Sequence, residues 1–208
     1  VNVSSNELRN NYYYQGSGDG SALYISGGQS VMIVGNTVIG NKHSSGTSAG
    51  AGGAVAASAA SAMTIAGNVI SSNTSVGISW AVRAAGLILS GAGGSVMIVS
   101  NNTICGNTAS TGWGDSSGGG VYVLGGAAVT IRGNNISSNS AHANWTSCGG
   151  GLRIVNTVSA TVSGNTISGN TLSSSSGFGG SAQGGGIYVM NPGGTLTLTE
   201  NNICQCHQ

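Results

Sequence analysis

One phrase recurs along the chain at an almost fixed interval: Asn, any residue, Val or Ile, any two residues, Asn. It runs from Asn36 to Asn41, Asn68 to Asn73, Asn102 to Asn107, Asn134 to Asn139 and Asn165 to Asn170; a last copy, Asn201 to Cys206, closes on Cys instead. A partial copy opens the chain, read with Val3 and Asn6 in register. Successive copies start 31 to 36 residues apart, the interval of a solenoid rather than of a closed globule.

Aligning the copies exposes the rest of the unit. Upstream of each phrase lies a short alternating strand, as in Val129-Thr130-Ile131-Arg132 and Leu196-Thr197-Leu198-Thr199, preceded by a Gly-rich turn into another, as in Gly118-Gly119-Gly120-Val121-Tyr122-Val123. The alternation has period 2, which belongs to strands and not to helices. Each rung therefore reads as three short strands joined by tight Gly or Asn turns, followed by a variable polar loop of 9 to 14 residues.

The columns down this alignment are apolar. The third strand supplies Val3, Val38, Ile70, Ile104, Ile136, Ile167 and Ile203; the middle strand supplies Ile33, Ile65, Val99, Ile131, Val162 and Leu198; the first supplies Leu23, Val55, Leu87, Val121, Leu152 and Ile187. Stacked at a strand spacing of ~4.8 Å, such columns give a continuous core that no single rung could make alone. An inward Asn at a corner can bond the turn backbone of its own rung and the Asn of the next, and Asn tolerates the left-handed conformation that tight corners require. The Asn columns are thus read as structural. The expected fold is all-β: a right-handed parallel β-helix of about six rungs, forming a single domain over residues 1–208.

These motifs resemble the right-handed parallel β-helix proteins, in particular the Gly-Gly-[Ala/Gly]-[Ile/Val] repeat class of polymorphic outer-membrane and related surface proteins. Gly52-Gly53-Ala54-Val55, Gly119-Gly120-Val121-Tyr122 and Gly185-Gly186-Ile187-Tyr188 carry one half of that motif, and phrases such as Asn165-Thr166-Ile167-Ser168-Gly169-Asn170 carry the other. The resemblance spans nearly the whole chain and implies an architecture; one solenoid serves adhesins, lyases, hydrolases and fibres alike. Ile or Val replaces the Phe of the class's FxxN element, and no transporter barrel is present.

Composition narrows the function. Charged residues make up 4% of the chain and the formal net charge is +1, so neither phosphate backbones nor anionic membranes would be attracted, and no nucleic-acid partner is expected. No apolar run approaches the length of a membrane span, so no membrane insertion is expected. The chain begins mid-phrase at Val1, and any targeting segment is expected to lie outside it. The carboxylates Glu7, Asp19, Asp115 and Glu200 are dispersed along the stack, as are His43, His142 and His207. Polysaccharide cleavage needs such groups paired, so no catalytic residue is assigned. Cys105, Cys148, Cys204 and Cys206 lack metal-ligand spacing, and neither a metal nor a cofactor is assigned. Cys105 and Cys204 share a column three rungs apart, too far for an intrachain disulfide. Five N-glycosylation sequons, at Asn2, Asn73, Asn101, Asn135 and Asn144, favour an extracellular or cell-surface location.

Three surfaces are candidates for binding. The outward column of the first strand places Arg153 between Tyr122 and Tyr188, read either as a stabilising stack or as an aromatic platform. The loops carry Trp80, Trp113, Trp145 and Phe178 about six to eight residues past the closing Asn; these rings either pin their loops or bind glycans or a neighbouring chain. Beside the Asn phrase, Thr37, Thr103, Asn135, Thr166, Ser71, Ser137 and Ser168 form a flat uncharged ladder that resembles ice-binding solenoid faces. The leading expectation is a non-enzymatic extracellular structural or adhesive module, a segment of a longer surface or filament protein, which self-associates or meets neighbouring domains through its ends. An ice-binding protein is the alternative from another class, a carbohydrate-binding module the third, and a degenerate lyase the last.

Overall fold

In the computed structural model, which describes residues 1–14, 19–45, 52–58, 60–78, 81–175 and 180–207, every sheet is built from strands of successive rungs, and every pairing between named strands is parallel. Two sheets have seven strands, two have six and a short outer one has three. The described residues contain no helix. The chain is a parallel β solenoid of about six turns.

The register follows the apolar alternation. In the middle sheet, Val3, Ile33, Ile65, Val99, Ile131, Val162 and Leu198 lie in one column. Leu23, Val55, Leu87, Val121, Leu152 and Ile187 form the first-strand column. From Ile33 to Val162 the middle column is inaccessible to solvent, because each side chain is covered by its own kind above and below. A slip of one residue would turn these side chains outward, so burial itself fixes the register.

One expectation about the first rung is corrected. Val3 stacks on Ile33 and belongs to the middle strand; Leu8 takes the third-strand position over Val38. The opening copy of the phrase is Asn6-Glu7-Leu8-Arg9-Asn10-Asn11, complete except that Leu replaces Val or Ile.

Two Asn ladders run up the stack. In the first, the backbone N–H and Nδ2 of Asn6, Asn36, Asn68, Asn102, Asn134 and Asn165 each donate to Oδ1 of the next ladder Asn, ending at Asn201, at 2.9–3.0 Å. The second runs from Asn11 through Asn41, Asn73, Asn107 and Asn139 to Asn170 in the same way. The spare Nδ2 hydrogen reaches back to a carbonyl of the preceding rung, as from Asn107 to Ile70 at 3.0 Å. Each interior amide is thereby satisfied without water.

The left-handed residue at each corner is not the ladder Asn but the one before it. Ser5, Gly35, Gly67, Asn101, Gly133, Gly164 and Glu200 precede the first ladder, and Asn10, Gly40, Ser72, Gly106, Ser138, Gly169 and Gln205 the second, with φ between 50° and 68°. The ladder Asn needs its side chain turned inward, so the preceding residue takes the reversal.

The structure adds a fourth strand where a loop was expected to begin. Tyr12–Tyr14, Lys42–Ser45, Thr74–Gly77, Thr108–Thr111, Ser140–Ala143 and Thr171–Ser174 pair in order just past the closing Asn. Ser116–Ser117, Thr146–Cys148 and Ser181–Gln183 then form the outer sheet. From there the Gly triplets carry the chain back past the second ladder. A Cβ on Gly120 would lie 2.8 Å from Asn139 Nδ2 and from Gly151 O, closer than real side chains approach. Glycine is required at position 120, whereas Ala54 fills the equivalent place two rungs earlier.

Candidate functional surfaces

The first-strand column outside the core runs Tyr24, Ala56, Ile88, Tyr122, Arg153, Tyr188. The Arg153 guanidinium lies 5.5 Å from the Tyr122 ring centroid and 5.4 Å from that of Tyr188. Only part of this sandwich is open to solvent: Arg153 and Tyr188 are half-buried. Tyr122 is only 6% exposed and packs with Ala56, Ala84, Ile88 and Val155. The outer sheet closes over it: Arg153 donates to the Ser117 hydroxyl, and the Cys148 thiol donates to Gln183 Oε1 at 4.0 Å within the outer sheet. Among the described residues, the buried Arg153 Nε has no hydrogen-bond partner. Burial raises the Cys148 pKa; the Arg153 charge opposes this, Asp115 reinforces it and the Tyr188 hydrogen bond opposes it. The cluster joins the outer sheet to the solenoid wall.

The loop rings differ. Trp113 and Trp145, one rung apart, are 52% and 53% exposed; Trp80 and Phe178 lie outside the described residues. The loops are tied down by other means. Asn144 Nδ2 donates to Gly112 O, Ser175 Oγ donates to Asn144 Oδ1 at 2.8 Å, and Thr111 Oγ1 donates to Trp113 O at 3.3 Å. The Asp115 carboxylate accepts the Thr146 N–H at 3.1 Å. Polar bonds hold the backbone here, and about half of each indole is open to solvent.

The third-strand face has the register read from the sequence. One outward column is Thr37, Val69, Thr103, Asn135, Thr166, Asn202, and the other is Ile39, Ser71, Cys105, Ser137, Ser168, Cys204. At its first edge the face carries the Glu7–Arg9 ion pair. A second ladder, on the middle sheet, was missed: Thr64, Ile98, Thr130, Thr161 and Thr197 share an outward column. Its signal was the alternation itself, whose polar positions had not been aligned.

Residues 83–208 match the family model described as the right-handed β-helix region. The chain belongs to the right-handed β-helix family. No curated protein and no solved structure matches it significantly.

Within this β-helix the remaining groups are scattered. All four cysteines are free, and Cys105 and Cys204 are separated by Ser137 and Ser168 in their column. Among the described residues no three His, Cys, Asp or Glu side chains cluster as a metal would require. His43 is fully buried, stacked on Tyr13 at 5.2 Å with its Nδ1 3.4 Å from Ser75 Oγ. This inward fourth-strand column mixes His43, Ser75, Ala109, Ala141 and Leu172, and so showed no hydrophobic periodicity. Of the sequons, Asn2, Asn101 and Asn135 are exposed. Asn73 is 1% exposed with both Nδ2 hydrogens bonded, which removes it as an acceptor in the folded chain. Asn144 is partly buried and spends Nδ2 on Gly112 O.

Proposed function

We propose that this β-helix is a non-enzymatic structural or adhesive module displayed outside the cell, close in kind to the Gly-Gly-[Ala/Gly]-[Ile/Val] surface repeats. The rigid stack is its scaffold and the loop rings are its contact surface. The observation that carries the reading is the exposure of Trp113 and Trp145 on loops that hydrogen bonds already fix. An exposed indole set among hydroxyls and amides offers an apolar face with polar neighbours, and neutral glycans present the matching pattern of C–H faces and hydroxyls. The chain's low charge fits a neutral ligand better than an ionic one. Glycan-array binding of the intact chain, compared with Trp113→Ala and Trp145→Ala, tests this. Binding should fall about two- to tenfold in each variant, one ring's stacking energy, with melting unchanged. Equal binding by all three would refute the adhesive surface, and release of oligosaccharide from any polysaccharide would refute the non-enzymatic reading.

The second reading, an ice-binding solenoid, is supported by the lattice regularity of Thr37, Thr103 and Thr166 and of the Thr64, Thr130, Thr161 and Thr197 column. Within a rung, outward residues two apart are ~6.7 Å apart, and rungs repeat at ~4.8 Å. Thermal hysteresis in the wild type, lost in Thr103→Tyr or Thr130→Tyr, would establish it in place of the adhesive reading.

A further inference from the structure

Asp115 is the one charged residue across positions 78–81, 112–115 and 144–146, the segments that follow the fourth strand on three successive rungs. It bridges the two Trp loops. Thr111 and Ala143 are register partners, and Trp113 and Trp145 each follow two residues later. The two indoles therefore leave the backbone at matching places one rung apart, ~4.8 Å. Asp115 lies two residues past Trp113, and its Oδ1 accepts the N–H of Thr146, the residue next to Trp145, at 3.1 Å. That bond occupies Oδ1 alone, and the residue is exposed.

The backbone beneath this group is already ordered. Val82 N donates to Asp115 O at 2.9 Å, and Ser181 N donates to Trp145 O at 3.0 Å. Asn144 ties Gly112 to Ser175, as described above. A ligand meeting this surface pays little to organise it. One rung earlier Ile78, 59% exposed, follows Gly77, the register partner of Thr111. Ile78, Trp113 and Trp145 thus form an apolar row that runs along the solenoid axis over three rungs.

An exposed indole stacks on the C–H face of a sugar, and a carboxylate beside it accepts strong, short hydrogen bonds from hydroxyl groups. The same carboxylate repels uronate, sulfate and phosphate groups, so the chain that fits is neutral. Spacing selects the linkage. The row repeats at ~4.8 Å, close to the advance of about 5 Å per residue in an extended β-1,4-linked hexopyranose chain. An α-1,4-linked chain coils and falls out of step with the rungs.

We infer that Trp113, Asp115 and Trp145 form a binding site for a neutral β-1,4-linked hexopyranose chain that lies along the solenoid axis, one sugar per rung, with Asp115 accepting its hydroxyl hydrogens. This rests on the adhesive reading above and adds to it a ligand class, a direction and a polar specificity residue.

Titration calorimetry of the intact chain tests the site, with cello- and manno-oligosaccharides of one to five residues, maltotetraose and tetragalacturonate as probes. In at least one β-1,4 series the affinity should rise at least about tenfold from one sugar to three and then level off, because the row spans three rungs. Maltotetraose should bind more weakly, and tetragalacturonate should give no heat. Asp115→Asn keeps an oxygen for the Thr146 N–H. It should lower the best affinity about five- to tenfold, the difference between a charged and a neutral hydrogen bond, with melting unchanged and with tetragalacturonate no longer excluded. Asp115→Asn binding like the wild type overturns the inference. So does an affinity independent of chain length, maltotetraose binding as well as the β-1,4 chains, or no binding by either series. Each of these leaves the adhesive reading standing as long as Trp113→Ala lowers binding on the glycan array. Failure of that reading shows separately, as equal array binding by the wild type and both Trp variants.

Discussion

Asn107 donates both its backbone N–H and its Nδ2 to the single Oδ1 of Asn139, at 3.1 and 2.9 Å. That relationship, repeated along the ladder, converts a corner rich in unpaired polar groups into a continuous interior seam. Its own Oδ1 takes the same pair of bonds from Asn73. Replacing Asn107 with Ala would strand donors of Asn73 and the Ile70 carbonyl in a buried site. At about 1–3 kcal/mol for each unsatisfied group, the loss should reach about 3 kcal/mol in urea unfolding. Asn135→Ala, on the exposed face of the next rung, should change stability by less than about 0.5 kcal/mol.

The Tyr122–Arg153–Tyr188 sandwich makes a different prediction. Because Tyr122 is covered and Arg153 and Tyr188 are half-buried, removal of the sandwich should lower stability and leave ligand binding alone. Arg153→Ala should cost about 1–3 kcal/mol through lost cation–π contacts, packing and the Ser117 bond. Arg153→Lys, which keeps the charge but not the planar stack, should recover only part of it. A double-mutant cycle with Tyr188→Leu should show coupling of about 0.5–2 kcal/mol.

Cys148 should be the slowest of the four cysteines to alkylate. Burial raises its pKa, so less of it is the reactive thiolate, and burial also hides the sulfur from the reagent. Removing the opposing Arg153 charge would raise it further and slow the reaction again, unless unfolding exposes the thiol. The sign for stability follows: the fold holds this proton more tightly than the unfolded chain does. The contribution is complete at neutral pH and is lost as the pH climbs through the raised pKa. Cys148→Ala should flatten the alkaline side of the stability profile, measured by melting between neutral and alkaline pH.

Much of the fold was legible because the repeat did two things at once: it fixed the period, and it marked a corner with a side chain that bonds its own copies. Val38, Ile70, Ile104, Ile136 and Ile167 fell into one column from that phrase alone, and the structure stacks them in that register. Leu8 does not show in the phrase because it is not β-branched, although it fills the third-strand position over Val38 while Val3 stacks on Ile33. The fourth strand stayed hidden for a physical reason. Its inward positions sit beside the polar Asn seam and the Gly triplets, so Ser75 and His43 serve there as well as Ala109, and burial no longer implies hydrophobicity. The covered state of Tyr122 was equally invisible, since it depends on an outer sheet whose strands are two or three residues long.

The account stands on in-register stacking along the whole chain, including the rungs before residue 83. The direct test is a set of spin-label distances along one outward column, in a cysteine-free background labelled at Glu7 together with Val69, Asn135 or Asn202. These positions lie two, four and six rungs from Glu7, so backbone separations should rise linearly to about 10, 19 and 29 Å. A separation that levels off or shortens toward Asn202 would mean that the chain folds back on itself, and would contradict the solenoid.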